Sequence, residues 1–140
     1  WILDFAQVAV YVPRAPIPRP GADRMSALSS LLDDLAARHG VLGVLVLSDD
    51  GLTVAQAGND PAADELAAVG SAALRQLGQL GHSTKQGKLQ TGVLEYDFGR
   101  VVIHPVRDDA SLLILVRRDV NVGTLLFALS ADADALAALL

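Results

Sequence analysis

The segment Gly81-His82-Ser83-Thr84-Lys85-Gln86-Gly87-Lys88-Leu89 comes nearest to a chemical motif in this chain, because it has the glycines and lysines of a phosphate-binding loop. Such a loop needs four residues between its glycines, a Ser or Thr after the lysine to hold magnesium, and a helix N-terminus turned to the phosphate. Here five residues separate the glycines, Leu89 follows Lys88, and the flanking apolar patterns put the segment after a helix and before a strand. It reads as a solvated loop.

The other reactive residue types are equally scattered. His39, His82 and His104 stand at no spacing that would converge three ligands on a metal. His39 suits a helix C-terminus, His82 a loop and His104 a partly exposed strand position. The pairs Asp33-Asp34, Asp49-Asp50 and Asp108-Asp109 are sequence neighbours, whose side chains diverge on helices and strands and cannot share a substrate. Gly70-Ser71 opens a nucleophile elbow, yet no glycine follows Ala73. There is no cysteine, so disulfides, thiolate catalysis and Cys-ligated zinc are all excluded. No catalytic residue, cofactor-binding residue or metal ligand is expected.

Composition narrows the partners. With 11 Lys and Arg against 16 Asp and Glu the net charge is −5, and the basic residues form no stripe that could neutralise a phosphate backbone. Val41 to Leu47, read as the most apolar run, is far shorter than the roughly 20 residues a membrane helix requires. Trp1 to Val12 lacks the basic start and cleavage site of a secretory signal. The expectation is a cytoplasmic protein that binds neither nucleic acid nor membrane.

The elements follow from periodicity. Trp1 to Val12 is β-prone, and Pro13, Pro16, Pro18 and Pro20 after it read as a stiff extended linker. Residues 1–24 are therefore expected to be an appendage or an extra edge strand, with one domain over 25–140. Leu28, Leu31, Leu32 and Leu35 give a helix from about Ser26 to His39, with Gly40 as its stop. Val41 to Leu47 is a buried strand, Ser48-Asp49-Asp50-Gly51 a tight turn, and Leu52 to Ala57 the returning strand. Asp60 as cap and Pro61 at the first position start a second helix that runs to about Leu80.

That helix carries many small residues and also a stripe of Leu66, Val69, Leu77 and Leu80, which is more apolar surface than one sheet needs. Leu89 to Tyr96, Arg100 to Val106 and Ser111 to Val116 make a meander, and Asn121 precedes a last helix from Val122 to Leu140. The order is α-β-β-α-β-β-β-α. An α+β sandwich with five antiparallel strands follows, the first and third helices on one face and the second on the other.

Leu31-Leu32-Asp33-Asp34-Leu35 followed by the run Gly40 to Ala55 resembles the opening of the roadblock (dynein light chain) family. The resemblance continues through Leu66-Ala67-Ala68, Lys88 to Tyr96, Leu112 to Val116 and Asn121-Val122-Gly123. Its specificity lies in the order and spacing of the whole. It implies a profilin-like roadblock fold and a homodimer in which the strand Lys88 to Tyr96 pairs with its copy, the two second helices lying side by side. Leu89, Thr91, Val93 and Glu95 on the strand would then form the seam, with Ala63, Ala67, Gly70 and Leu74 on the helix.

The resemblance further implies a non-enzymatic scaffold or regulator in bacterial signalling that binds a small Ras-like GTPase, with Arg75 and Gln79 at the contact. A small-molecule sensor of profilin-like or PAS-like fold, or a purely structural subunit of a larger complex, are the alternatives. Which GTPase is bound, whether the effect is activation or tethering, and whether the dimer joins two copies or a paralogue are left open by these residues.

Overall fold

The computed structural model describes residues 20–58 and 62–140, with side chains in the first helix from Asp23 onward. Helix α1 spans Pro20–Ala36, strand β1 Val41–Ser48, β2 Thr53–Ala57, α2 Ala63–Ser83, β3 Gly92–Tyr96, β4 Gly99–Arg107, β5 Ala110–Val116 and α3 Val122–Leu139. The expected order of elements holds. The β-prone run Trp1 to Val12, the prolines from Pro13 to Pro18, the Asp60 cap and Pro61 all lie outside the described residues.

Helix α1 begins at Pro20, within the stretch read as linker, and ends at Ala36 instead of His39. A proline is no obstacle at the first position of a helix, where its missing N–H would have found no intrahelical partner. The shorter C-terminus has a cause in the turn that follows. Gly40 sits at φ +77°, and a Cβ there would stand 2.1 Å from Val120 Cγ2. Its carbonyl accepts from Arg117 N at 2.8 Å, so the α1–β1 link is pressed against the β5–α3 link.

The five strands form one antiparallel sheet in the order β2-β1-β5-β4-β3. The β1–β2 hairpin and the β3–β4–β5 meander join where β1 pairs β5, with Val44 opposite Ile114 and Val46 opposite Leu112. Both strands are therefore central and buried on both faces, which is why each reads as an unbroken apolar run. The β1–β2 turn closes as the Asp-Gly signal requires: Gly51 takes φ +88°, and Ser48 Oγ accepts from Leu52 N at 3.0 Å.

One face of the sheet carries α1 and α3. Leu28, Leu32 and Leu35 from α1 and Leu125, Leu129 and Leu136 from α3 pack with Val44, Val46, Val102, Leu112, Ile114 and Val116. Asn121 caps α3, its side chain accepting from Thr124 N at 3.3 Å. Helix α3 is long and apolar enough to cross a membrane by length and composition alone. Its Leu125, Leu129 and Leu136 are buried in this core, while Phe127 is 78% exposed. Among the described residues, the other face carries only α2, over Leu45, Leu47, Ile103 and Leu113.

Candidate functional site

Helix α2 is amphipathic in an unusual sense, because its two apolar faces have different jobs. Ala63, Ala67, Gly70 and Ser71 are buried against the sheet. A Cβ on Gly70 would come within 3.1 Å of Leu47 Cδ2, so the sheet supplies the bulk here and the helix must supply the room. One flank is tied to the β1–β2 hairpin: Ser71 Oγ donates to Ser48 O at 2.7 Å, Arg75 Nη1 to Asp49 O at 3.1 Å, and Thr53 Oγ1 to Asp64 Oδ1 at 3.0 Å.

The opposite flank is left over. At about 100° per residue, Leu66, Val69, Ala73, Leu77 and Leu80 fall within an arc of roughly 80°. Val69 is 63% exposed and Leu80 60%, while Leu66 and Leu77 are half-buried at the margin of the sheet cluster. Leu77 Cδ1 lies 3.8 Å from the position a Cβ on Gly92 would take, so the stripe continues onto β3. Strand β3 is the end of the sheet, and among the described residues no strand lies beyond it. Its Leu94 packs into the cluster under α2, and by alternation Tyr96, also exposed, points to the same side.

The residues expected at a dimer seam fall into three groups. Thr91, Val93 and Glu95 share one side of the chain at this edge, the side of α1 and α3, since Val93 pairs with Val102 and Glu95 with Arg100. Glu95 Oε1 stands 2.9 Å from Arg100 Nε, an ion pair without an aligned hydrogen bond. Thr91 precedes the strand and its Oγ1 lies 2.9 Å from His104 Nδ1. The half-buried imidazole has its pKa lowered by burial, which disfavours the charged form.

Leu89 belongs elsewhere. The strand begins at Gly92, not near Leu89, and Leu89 lines a cleft on the α2 side.

The expectation for α2 needs correcting. Ala63, Ala67 and Gly70 are buried against the chain's own sheet and present no surface on which a second helix could lie, while Leu74 is half-buried at the same cluster. The residues that do stand free are Val69 and Leu80, flanked by the half-buried Leu66, Ala73 and Leu77. The periodicity showed both stripes. What separates them is the bulk of Leu45, Leu47 and Leu113 on the facing sheet, which leaves space for small side chains only. Arg75 and Gln79 are exposed, on turns of α2 rotated well away from the apolar stripe.

A five-stranded antiparallel sheet with two helices on one face, one on the other and an open edge beside an apolar helix flank defines a profilin-like α/β sandwich. The sequence profile of the Roadblock/LC7 domain matches residues 27–116, and the chain belongs to that family. A Roadblock/LC7 domain from Streptomyces avermitilis is similar at 22% identity and a TM-score of 0.72, over 77% of this chain and 92% of that one.

The gliding protein MglB of Thermus thermophilus is similar at 16% identity and a TM-score of 0.74, over 83% of this chain and 90% of that one. Profilin IA of Acanthamoeba castellanii shares the fold more distantly, at 15% identity and a TM-score of 0.52 over 79% and 96%. No curated protein sequence matches the chain.

Proposed function

We propose that this chain is a non-enzymatic scaffold of the cytoplasm that self-associates through β3 and the Val69–Leu80 flank of α2, and that the joint surface docks a small Ras-like GTPase. The observation that carries it is the continuity of an exposed apolar helix stripe with an open sheet edge. Each alone is common on a protein surface. Together they offer backbone hydrogen bonds and a place to bury side chains in a single step. A twofold axis beside β3 would set each α2 stripe against its twin and leave Arg75 and Gln79 on the outer flank, free for a third protein.

Membership of the Roadblock/LC7 family and the likeness to a gliding protein of the MglB type support the regulatory reading. A purely structural subunit would share the same seam and differ only in having no nucleotide-dependent partner.

Light scattering across a concentration series tests the seam. The chain is expected to be dimeric, and Val69→Glu, which places a charge in the centre of the stripe, is expected to be monomeric with its far-UV spectrum unchanged. A native chain that stays monomeric at high concentration would remove the proposal. Titration with small Ras-like GTPases loaded with GDP or a GTP analogue tests the second half. Binding that depends on the nucleotide and weakens in an Arg75→Glu, Gln79→Glu double variant is expected, and binding to none of them would leave only the structural subunit.

A further inference from the structure

Between the C-terminal half of α2 and the ends of β1, β4 and β5 lies a cleft of about 690 Å³, walled on its third side by the loop that leads to β3. Its floor is apolar, formed by Leu47, Leu74, Leu89, Pro105 and Ala110. Three serines line it, and Ser48 is engaged within its own turn, its Oγ accepting from Leu52 N. Ser71 is already engaged, donating to Ser48 O. Ser111 is only 8% exposed and lines the cleft. Its hydroxyl still reaches the cleft and so stands ready for a partner there, water or ligand.

The rim is basic in a chain whose net charge is −5. Arg75, Lys85, Lys88 and Arg107, four of the 11 Lys and Arg residues, line this one cleft together with His82, against the carboxylates of Asp49 and Asp108 only. Lys88 is paired with Asp108 at 3.1 Å and Arg107 with Asp109 at 3.2 Å, both in exposed surroundings where such pairs are easily exchanged. Arg75 is held by a backbone carbonyl, which leaves its charge uncompensated. Lys85 has no ion-pair partner among the described residues and sits at φ +58°, a conformation that ordinarily selects glycine at a helix C-terminus.

The C-terminal end of α2 is the negative end of its dipole, and three of its last carbonyls are occupied, which weakens its opposition to an anion. Thr84 N and Oγ1 both donate to Leu80 O, Lys85 N donates to His82 O, and Gln86 N to Gly81 O.

We propose that this cleft is a binding site for a small organic anion, an apolar body on the leucine floor carrying a phosphate or carboxylate that reaches the Lys85 and Arg107 rim and accepts from Ser111. The volume lies within the range of small-ligand sites, and an aliphatic wall with a few converging polar groups is their usual make-up. The site is separate from the Val69–Leu80 flank and does not depend on self-association.

The test uses the 140-residue chain, isotopically labelled, with 1-anilinonaphthalene-8-sulfonate as the anionic probe and N-phenyl-1-naphthylamine as the same body without charge. Saturable amide shifts centred on Gly78, Gly87 and Ser111 are expected for the sulfonate, with at least tenfold weaker binding for the neutral amine and for Arg107→Glu. Phenyl phosphate and benzoate are then used as competitors. Displacement by either sustains the site and tells which headgroup it prefers, and displacement by neither overturns it.

Lys85→Gly separates binding from folding, because glycine relieves the positive φ. The variant is expected to melt no lower than the native chain while binding the sulfonate several-fold more weakly. Shifts confined to the α2 stripe around Val69, or affinity in Lys85→Gly and Arg107→Glu equal to that of the native chain, would overturn the proposal.

Discussion

The two faces of the sheet are finished to different degrees. On one, α1 and α3 contribute Leu28, Leu32, Leu35, Leu125, Leu129 and Leu136, all buried, and close over the strands. On the other, a single helix contributes Ala63 and Ala67 to the buried cluster, the sheet provides the large side chains, and Leu66, Leu77 and Leu94 at its border are only partly covered. One small-residue helix reaches the end strand only through Leu77 at Gly92 and leaves that border partly uncovered. The leucine face holds most of the buried core, and the alanine face leaves apolar surface uncovered.

The largest effect that would sharpen this contrast comes from the closed face. Leu129 is fully buried between α3 and the strands, so Leu129→Ala removes apolar area and leaves a cavity. A loss of about 2–5 kcal/mol in urea unfolding is expected. Self-association, measured where the variant remains folded, should not change. A coupled loss of both would break the division between the faces.

The alanine face should respond to the opposite change. Ala67 is 0% exposed under α2, where the helix lies close enough to the sheet that Gly70 admits no side chain without displacing Leu47. Ala67→Leu overfills that gap and is expected to cost about 1–3 kcal/mol. Val69→Leu, on the free flank of the same helix, is expected to change stability by less than about 0.5 kcal/mol. Equal sensitivity at the two positions would mean that α2 has no free side, and the reading of its stripe as an interaction surface would fall.

Much of the fold was legible because each element carried its own signal. The apolar runs of β1 and β5 announced central strands, Asp-Gly announced the β1–β2 turn, and Asn121 announced the start of α3. What was not legible depends on distance in space. Helix α2 carries two apolar stripes, and only the bulk of Leu45, Leu47 and Leu113 across the interface decides that Ala63, Ala67 and Gly70 turn inward. The N-terminus of β3 was placed too early because Leu89 and Thr91 alternate as a strand would, although their surroundings are a cleft and His104 instead of a ladder. The cleft itself joins Leu47, Arg75, Lys85 and Ser111 from four separate elements or loops, and no local spacing could have joined them.

The smallest expected effect tests how dry the closed face remains at its β3 border. His104 lies on β4 with its Nδ1 2.9 Å from Thr91 Oγ1, and the Thr91 hydroxyl donates its one proton to Gln90 O at 2.7 Å. Burial lowers the pKa of the ring below its ordinary 6.5, so between the two values the unfolded chain binds the proton and the folded chain does not.

The contribution to stability is thus fully present above the unfolded value and is lost as pH falls below it toward the lowered folded value. Unfolding midpoints taken from about pH 7.5 to about pH 5 should fall for the native chain, and this component of the slope should vanish in His104→Gln. If the two chains fall in parallel, the imidazole is as wet folded as unfolded, and the closed face ends before it reaches the edge strand.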